Sequence, residues 1–238
     1  MKVIMGICAI CGQHKKLSFE HVPPRSAFND KPIFMQTTEH LWEENSRFFG
    51  KKIKSNKGFG SFTLCEQCNN DTGDWYAKDF GEFAHQGMHI IKEMRDVPYV
   101  KGTYTIKPLN VFKQIITMFL SADKIGYLRS QKGLSEFILD KSSTDFPNDL
   151  KIFIYSNVSS TKRMIGYTIV WDQRLGVQKW AEVNFQPFGY LLAEDSSPAH
   201  ENMVDVTEWH KIQYNKICKI EMTTAYLKVS SAVIGTYG

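Results

Sequence analysis

Two pairs of cysteines in the first third of the chain have the spacing of a metal site. Each pair has two residues between its thiols, Cys8 with Cys11 and Cys65 with Cys68. This spacing lets one tight turn present both sulfur atoms to the same ion, and two such turns complete the tetrahedron that Zn²⁺ prefers. Because four thiolates leave no open coordination position, the sequence predicts a structural zinc site.

An acid–histidine pair lies between the two cysteine pairs, and an asparagine follows the last cysteine. Glu20 and His21 precede two prolines in SFEHVPPRSAF, and Asn69 comes directly after Cys68. Histidine can take a proton from water near neutral pH, whereas carboxylate and amide oxygens suit a hard cation such as Mg²⁺. Adjacent residues on a strand face opposite sides, so Glu20 and His21 cannot both face one metal ion on a regular strand. We therefore expect a bulge or loop at Glu20–His21, held by the two prolines.

This order of motifs resembles the HNH endonucleases of the ββα-metal, or treble-clef, type in which zinc staples the finger. It is similar to the endonuclease VII type of phage nuclease and to bacterial HNH proteins with EH-[IV]-P-P and C-x-x-C-N-N-x-T-G segments. The resemblance covers about residues 5–85. It implies that His21 is the general base, that Glu20 and Asn69 bind a catalytic Mg²⁺ or Mn²⁺, and that the four cysteines bind zinc. The middle asparagine of the family motif has no counterpart in GFGSFTLC.

A basic stretch, RFFGKKIKSNKGFG, also lies between the cysteine pairs and contains no acid. We expect its cations to contact a phosphate backbone and its aromatic residues to anchor the loop or stack on bases. An ordinary solvated loop is the alternative. A further arginine close to His21 is expected to contact phosphate. The predicted nucleic-acid contacts are Arg25, Arg47, Lys51, Lys52, Lys54 and Lys57.

The composition is that of an ordinary globular protein. The 238 residues are 42% hydrophobic and 23% charged, and the formal net charge of +4 permits a polyanionic partner without requiring one. No apolar run reaches the roughly 20 residues that span a bilayer, and the first residues have no signal-peptide cleavage pattern. An odd cysteine count with two tight pairs is a poor disulfide framework, so we expect a cytoplasmic protein without membrane association.

The elements that must position these residues follow from hydrophobic patterning. Residues 1–70 contain short strand-like pieces and turns, and a helix is predicted after Cys68, with Asn70, Asp71 and Thr72 as capping residues. Further helices are predicted near 108–122 and in GLSEFILD. Five β-branched and aromatic runs then predict strands of one antiparallel sheet. These runs are KIFIYSNV, RMIGYTIVW, VQKWAEVNF, PFGYLLAE and KIEMTTAYLKV.

The predicted fold class is therefore α+β, with an N-terminal ββα-metal (treble-clef) zinc finger followed by helices and a β-rich C-terminal region. We expect residues 1–97 to form the nuclease module with its long helix. Residues 98–238 would form a helix-plus-antiparallel-sheet region whose role is unassigned and which could contact a second copy or a partner protein.

The predicted function is metal-dependent hydrolysis of phosphodiester bonds by an HNH endonuclease, with DNA favoured over RNA as substrate. Two alternatives stay open. One is a zinc-finger protein that binds nucleic acid without catalysis. The other is a bacterial defence effector whose C-terminal half senses an activator or a partner.

Overall fold

The computed structural model describes residues 3–94, 97–157, 159–173, 176–229 and 237. It contains both helices and sheets, which confirms the α+β class. The strands are β1 (Met5–Ile7), β2 (His14–His21), β3 (Ile33–Met35), β4 (Ile53–Ser55), β5 (Gly60–Cys65), β6 (Tyr99–Ile106), β7 (Leu150–Ser156), β8 (Arg163–Asp172), β9 (Gly176–Phe185), β10 (Phe188–Glu194), β11 (Val204–Asp205) and β12 (Cys218–Ala225). The α-helices are α1 (Thr38–Trp42), α2 (Glu66–Thr72), α3 (Lys78–Glu93), α4 (Pro108–Ala122), α5 (Tyr127–Ser130) and α6 (Leu134–Leu139). Within these described ranges, no helix combines the length and apolar character needed to cross a membrane.

The N-terminal part is a small antiparallel sheet with a helix at its end. Its strands have the order β1-β2-β5, and α2 begins directly after β5. Strands β2 and β5 with helix α2 thus have the ββα order, although the two strands are far apart in sequence. The residues between them, 22–59, contain the antiparallel pair β3–β4 with α1 in the connection between the two strands, and are called the insert below.

Helix α2 begins earlier than the sequence indicated. It starts at Glu66, with the extended residue Cys65 as its N-cap, so the predicted start after Cys68 is wrong. The expected capping by Asn70, Asp71 and Thr72 is wrong for the same reason, and Thr72 instead donates to the Cys68 carbonyl oxygen at 2.8 Å. The earlier start puts the last two cysteines on the N-cap and the first helical turn.

The C-terminal part is built on a five-stranded antiparallel sheet with the order β11-β7-β10-β9-β8. Four of the five predicted strands lie in it. The fifth, β12, pairs instead with β6 in a separate two-stranded sheet, so the prediction of one sheet is wrong for this strand. Strand β6 was not predicted, although its residues alternate between exposed and buried positions. Helix α4 has the predicted bounds, and every one of its residues is buried.

One cluster of buried side chains extends across residue 97. Phe83 of α3 stacks on Phe188 of β10 with ring centroids 4.5 Å apart. The Tyr76 hydroxyl donates to the Ile138 carbonyl oxygen at 2.8 Å. The two predicted parts of the chain therefore share core contacts, and their division at residue 97 stays a prediction about roles.

Candidate metal centre and active site

The turn after β1 and the junction of β5 with α2 bring the four predicted cysteines into one cluster. Their Sγ atoms all lie within 4.8 Å of one another, and they could hold a metal ion such as zinc. Zinc–thiolate bonds of about 2.3 Å put the sulfur atoms of a tetrahedron about 3.8 Å apart. The Cys11 and Cys65 Sγ atoms are already 4.0 Å apart, so the ligand set fits this ion.

Local backbone geometry shapes the turn that carries Cys8 and Cys11. Gly12 has a φ of 70°, which favours glycine, and its N–H donates to the Cys8 carbonyl oxygen at 3.0 Å. The Cys65 N–H donates to Cys8 Sγ at 3.3 Å. A hydrogen bond with Cys68 lowers the pKa of the Cys8 thiol to about 4, whereas burial raises the pKa of Cys11. Cys8 thus favours the thiolate form that binds metals.

Asn69 is hydrogen-bonded to β2 from its position on α2. Its Nδ2 donates to Ser18 Oγ at 2.9 Å and to the Phe19 carbonyl oxygen at 3.2 Å. Among the described residues, no hydrogen bond uses its Oδ1. Asn69 therefore presents an amide oxygen beside the strand that carries Glu20 and His21.

Glu20 belongs to the same side of β2 as Ser18, because residues two apart on a strand share a side. It is 7% exposed, and no described residue forms a hydrogen bond or an ion pair with its carboxylate. Burial raises its pKa to about 8. A carboxylate in such a place ionises readily only with a cation beside it. Glu20 and Asn69 together offer the oxygen ligands that a hard divalent cation prefers.

His21 lies on the opposite side of β2. Its ring contacts the Phe19 ring edge-on, with centroids 5.0 Å apart. Burial lowers the pKa of the imidazole, and the positive charges of Arg25 and Lys57 lower it further, against a hydrogen bond with the Lys57 backbone that raises it. The neutral form, which can accept a proton, is therefore favoured.

The predicted bulge or loop at Glu20–His21 is wrong, because β2 continues regularly through His21. The irregularity lies between Ser18 and Phe19, opposite an extra residue of β5, Thr63. The Thr63 carbonyl accepts from the Ala9 N–H at 2.9 Å, and its hydroxyl is hydrogen-bonded to Ser121. These contacts hold the extra residue in β5, so Glu20 and His21 keep the opposite orientations of a regular strand.

Asn29, which sequence reasoning missed, fastens the insert next to His21. It is 1% exposed. Its Nδ2 donates to the carbonyl oxygens of Pro23 at 2.7 Å and Phe59 at 2.6 Å, and its Oδ1 accepts from the Phe59 N–H at 2.7 Å. Asn29 is far from the stretch GFGSFTLC before Cys65, where the resemblance implied an asparagine, so nothing in the spacing of this sequence drew attention to it.

The predicted phosphate contacts all lie in the insert and are exposed. Within the described ranges, none of them forms an ion pair with a carboxylate. The Arg47 guanidinium lies over the Phe48 ring, 4.6 Å from its centroid. The positive charges of these six side chains are therefore available to bind a polyanion.

The structure joins the four cysteines in one cluster and joins Asn69 to the strand of Glu20, but it puts His21 on the other side of that strand. Comparisons with known proteins give no matching family model, no matching curated protein and no matching solved structure. What the chain can do has to follow from the chemistry of these residues.

Proposed function

We propose that the chain is a metal-dependent endonuclease of the HNH type that hydrolyses phosphodiester bonds, with DNA favoured over RNA. The observation that carries the proposal is the position of Asn69. It lies one residue beyond a cysteine of the cluster, and its side chain is hydrogen-bonded to Ser18 and Phe19, the two residues of β2 that precede Glu20 and His21. In this proposal zinc bound by the cysteines fixes α2 against the strand.

Each residue then has a distinct role. Glu20 and Asn69 would hold a divalent cation, Mg²⁺ or Mn²⁺, which when bound stabilises the charge on the leaving oxygen. His21 would accept the proton of a water molecule while the water oxygen attacks phosphorus and the bond to the leaving oxygen breaks. Strand β2 ends at His21. The scissile phosphate would therefore lie across the end of the strand, where residues from both of its sides can be approached.

The test is cleavage of plasmid DNA, single-stranded DNA and RNA with Mg²⁺ or Mn²⁺, compared with buffer to which neither is added. His21→Ala should lower the cleavage rate about 10²- to 10⁴-fold and leave zinc content and nucleic-acid affinity unchanged. His14→Ala is the matched control, because His14 is exposed at the start of the same strand. Wild-type cleavage by His21→Ala would contradict the proposal.

Replacing the proposed ligands of the divalent cation should have a different effect from replacing His21. Glu20→Ala and Asn69→Ala should weaken the affinity for the divalent cation, so a higher Mn²⁺ concentration should restore part of their activity. The same increase should not restore His21→Ala, which keeps both proposed ligands and lacks only the base.

A second candidate function is nucleic-acid binding by the zinc finger without catalysis. The opposite orientations of Glu20 and His21 on β2 favour it, as does the deep burial of Glu20. A wild-type protein that binds nucleic acid but cleaves none of the three substrates, with either cation, would support this candidate.

A further inference from the structure

The insert exposes aromatic rings that belong to no core cluster. Phe34 is 70% exposed, Trp42 is 56% exposed and Phe49 is 45% exposed. Rings of this size usually contribute to a core or an interface, where each buries a large apolar area. Three exposed aromatic rings within residues 34–49 indicate a binding surface for a ligand or a macromolecule.

The second half of the insert, from Asn45 onward, carries cations and no acid, whereas Glu39, Glu43 and Glu44 lie close to Trp42 in the sequence. Residues 45–65 contain no aspartate or glutamate. Phe34 and Lys54 are direct partners in the β3–β4 pair and so project from the same face of this two-stranded sheet. The Lys51 ammonium lies 5.8 Å from the centroid of the Phe48 ring. Rings and cations are therefore neighbours at two places on the insert, and this combination complements a polyanion that has flat apolar faces.

A row of contacts joins the insert to His21. The Lys57 ammonium lies 5.2 Å from the Phe19 ring centroid and 5.0 Å from that of Phe62. Phe19 in turn contacts the His21 imidazole, with ring centroids 5.0 Å apart. A nucleic-acid strand bound to the insert would thus contact the Lys57 ammonium and the rings of Phe19 and Phe62 beside the proposed base, His21.

We propose that the insert is a stacking platform for unpaired bases, so that the substrate of this site contains single-stranded nucleic acid. The inference rests on the proposed nuclease function and names its substrate class. In a duplex, neighbouring base pairs cover the faces of each base, whereas an unpaired base can stack on an exposed ring. A nucleic acid fits this surface better than a protein because its phosphates complement the unpaired cations.

Fluorescence anisotropy with the full chain, zinc bound and no divalent cation added, tests the platform. The probes are a labelled oligonucleotide of about 20 nucleotides, longer than a typical single-strand site, and the same sequence as a duplex. The single strand should bind more tightly. Phe34→Ala and Trp42→Ala should each weaken its binding about 5- to 100-fold, the usual range for losing one stacked base.

Three features distinguish stacking from other causes. The salt dependence of single-strand binding should stay unchanged in both variants, because every cation is retained. Trp42→Phe should keep most of the affinity, because it keeps a ring. Trp171→Ala should have no effect, since this side chain is 71% exposed but lies on β8 of the C-terminal sheet.

Equal wild-type affinity for the two probes, or unchanged affinity in both alanine variants, would overturn the inference. The inference and the nuclease proposal can fail separately. Ring-dependent single-strand binding without any cleavage would refute only the nuclease, and cleavage without ring-dependent binding would refute only the platform.

Discussion

Replacing Asn29 with alanine should loosen both ends of the insert at once. The side chain bonds three backbone groups, the Pro23 carbonyl at 2.7 Å and the carbonyl and N–H of Phe59 at 2.6 Å and 2.7 Å. Pro23 is close to the end of β2 and Phe59 directly precedes β5. Asn29 thus joins the two points at which the insert leaves and rejoins the sheet, and alanine can make none of these bonds.

The magnitude follows from the groups that stay without a partner. The Phe59 carbonyl also accepts from the Val22 N–H at 3.0 Å, so it keeps one bond. The Pro23 carbonyl and the Phe59 N–H lose the bond that Asn29 supplied, and each such buried group costs about 1–3 kcal/mol. Partial access of water to the half-buried Phe59 favours the lower part of that range. The expected loss in the free energy of unfolding is about 2–4 kcal/mol, a large share of the roughly 5–15 kcal/mol of a typical domain.

Urea unfolding of the zinc-bound protein, followed by circular dichroism, measures this loss. With a slope of about 3 kcal/mol per molar urea, the midpoint should fall by about 1 M. Asn56→Ala is the matched control, because Asn56 is an exposed asparagine of the same insert. Asn29→Asp should be no more stable than Asn29→Ala, since its carboxylate would face the Pro23 carbonyl. An Asn29→Ala midpoint equal to that of the wild type would refute the proposed fastening role.

Three further predictions concern the metal, the basic surface and the shared core. Metal analysis should find about one zinc per chain, which Cys68→Ser should abolish and Cys218→Ser, outside the cluster, should not. Neutralising Lys51, Lys52, Lys54 and Lys57 together should flatten the salt dependence of nucleic-acid affinity by about one unit of slope for each phosphate that is no longer neutralised. An unchanged slope would mean that these lysines face elsewhere. A chain ending at residue 97 should expose the aromatic residues of α3 and lack the sharp thermal transition of the full chain, whereas a folded and fully active piece would contradict this.

The parts of the structure that the sequence predicted well depend on local patterns. The cysteine cluster follows from two short spacings, because each pair needs only one turn to align its thiols. Helix α4 follows from Pro108 and a regular apolar repeat, and its bounds match the prediction. The strands of the C-terminal sheet follow in the same way from runs of β-branched and aromatic residues separated by turn residues.

The parts that were missed depend on contacts between distant residues. The sequence of β6 alone gives only a weak strand signal. The strand forms by pairing with β12, in which Cys218 lies opposite Ile106. The extra residue of β5, Thr63, is held partly by Ser121 of α4. No spacing within SFEHVPPRSAF could place the irregularity in the pairing of β2 with β5 before Phe19 rather than at Glu20. Asn29 likewise gains its role only when residues 22–59 fold back on the sheet.

The candidate site is consequently held from two independent directions. The cysteine cluster includes Cys65 and Cys68 at the start of α2, and the neighbouring Asn69 is hydrogen-bonded to Ser18, two residues before Glu20. Asn29 joins Pro23 to Phe59 just beyond His21, the last residue of β2. Removing zinc should therefore disturb the proposed cation ligands first, whereas Asn29→Ala should leave Asn69 in place and release the surroundings of the base. If His21 and the cation act in one reaction, either change alone should slow cleavage, and only the first should weaken the affinity for Mn²⁺.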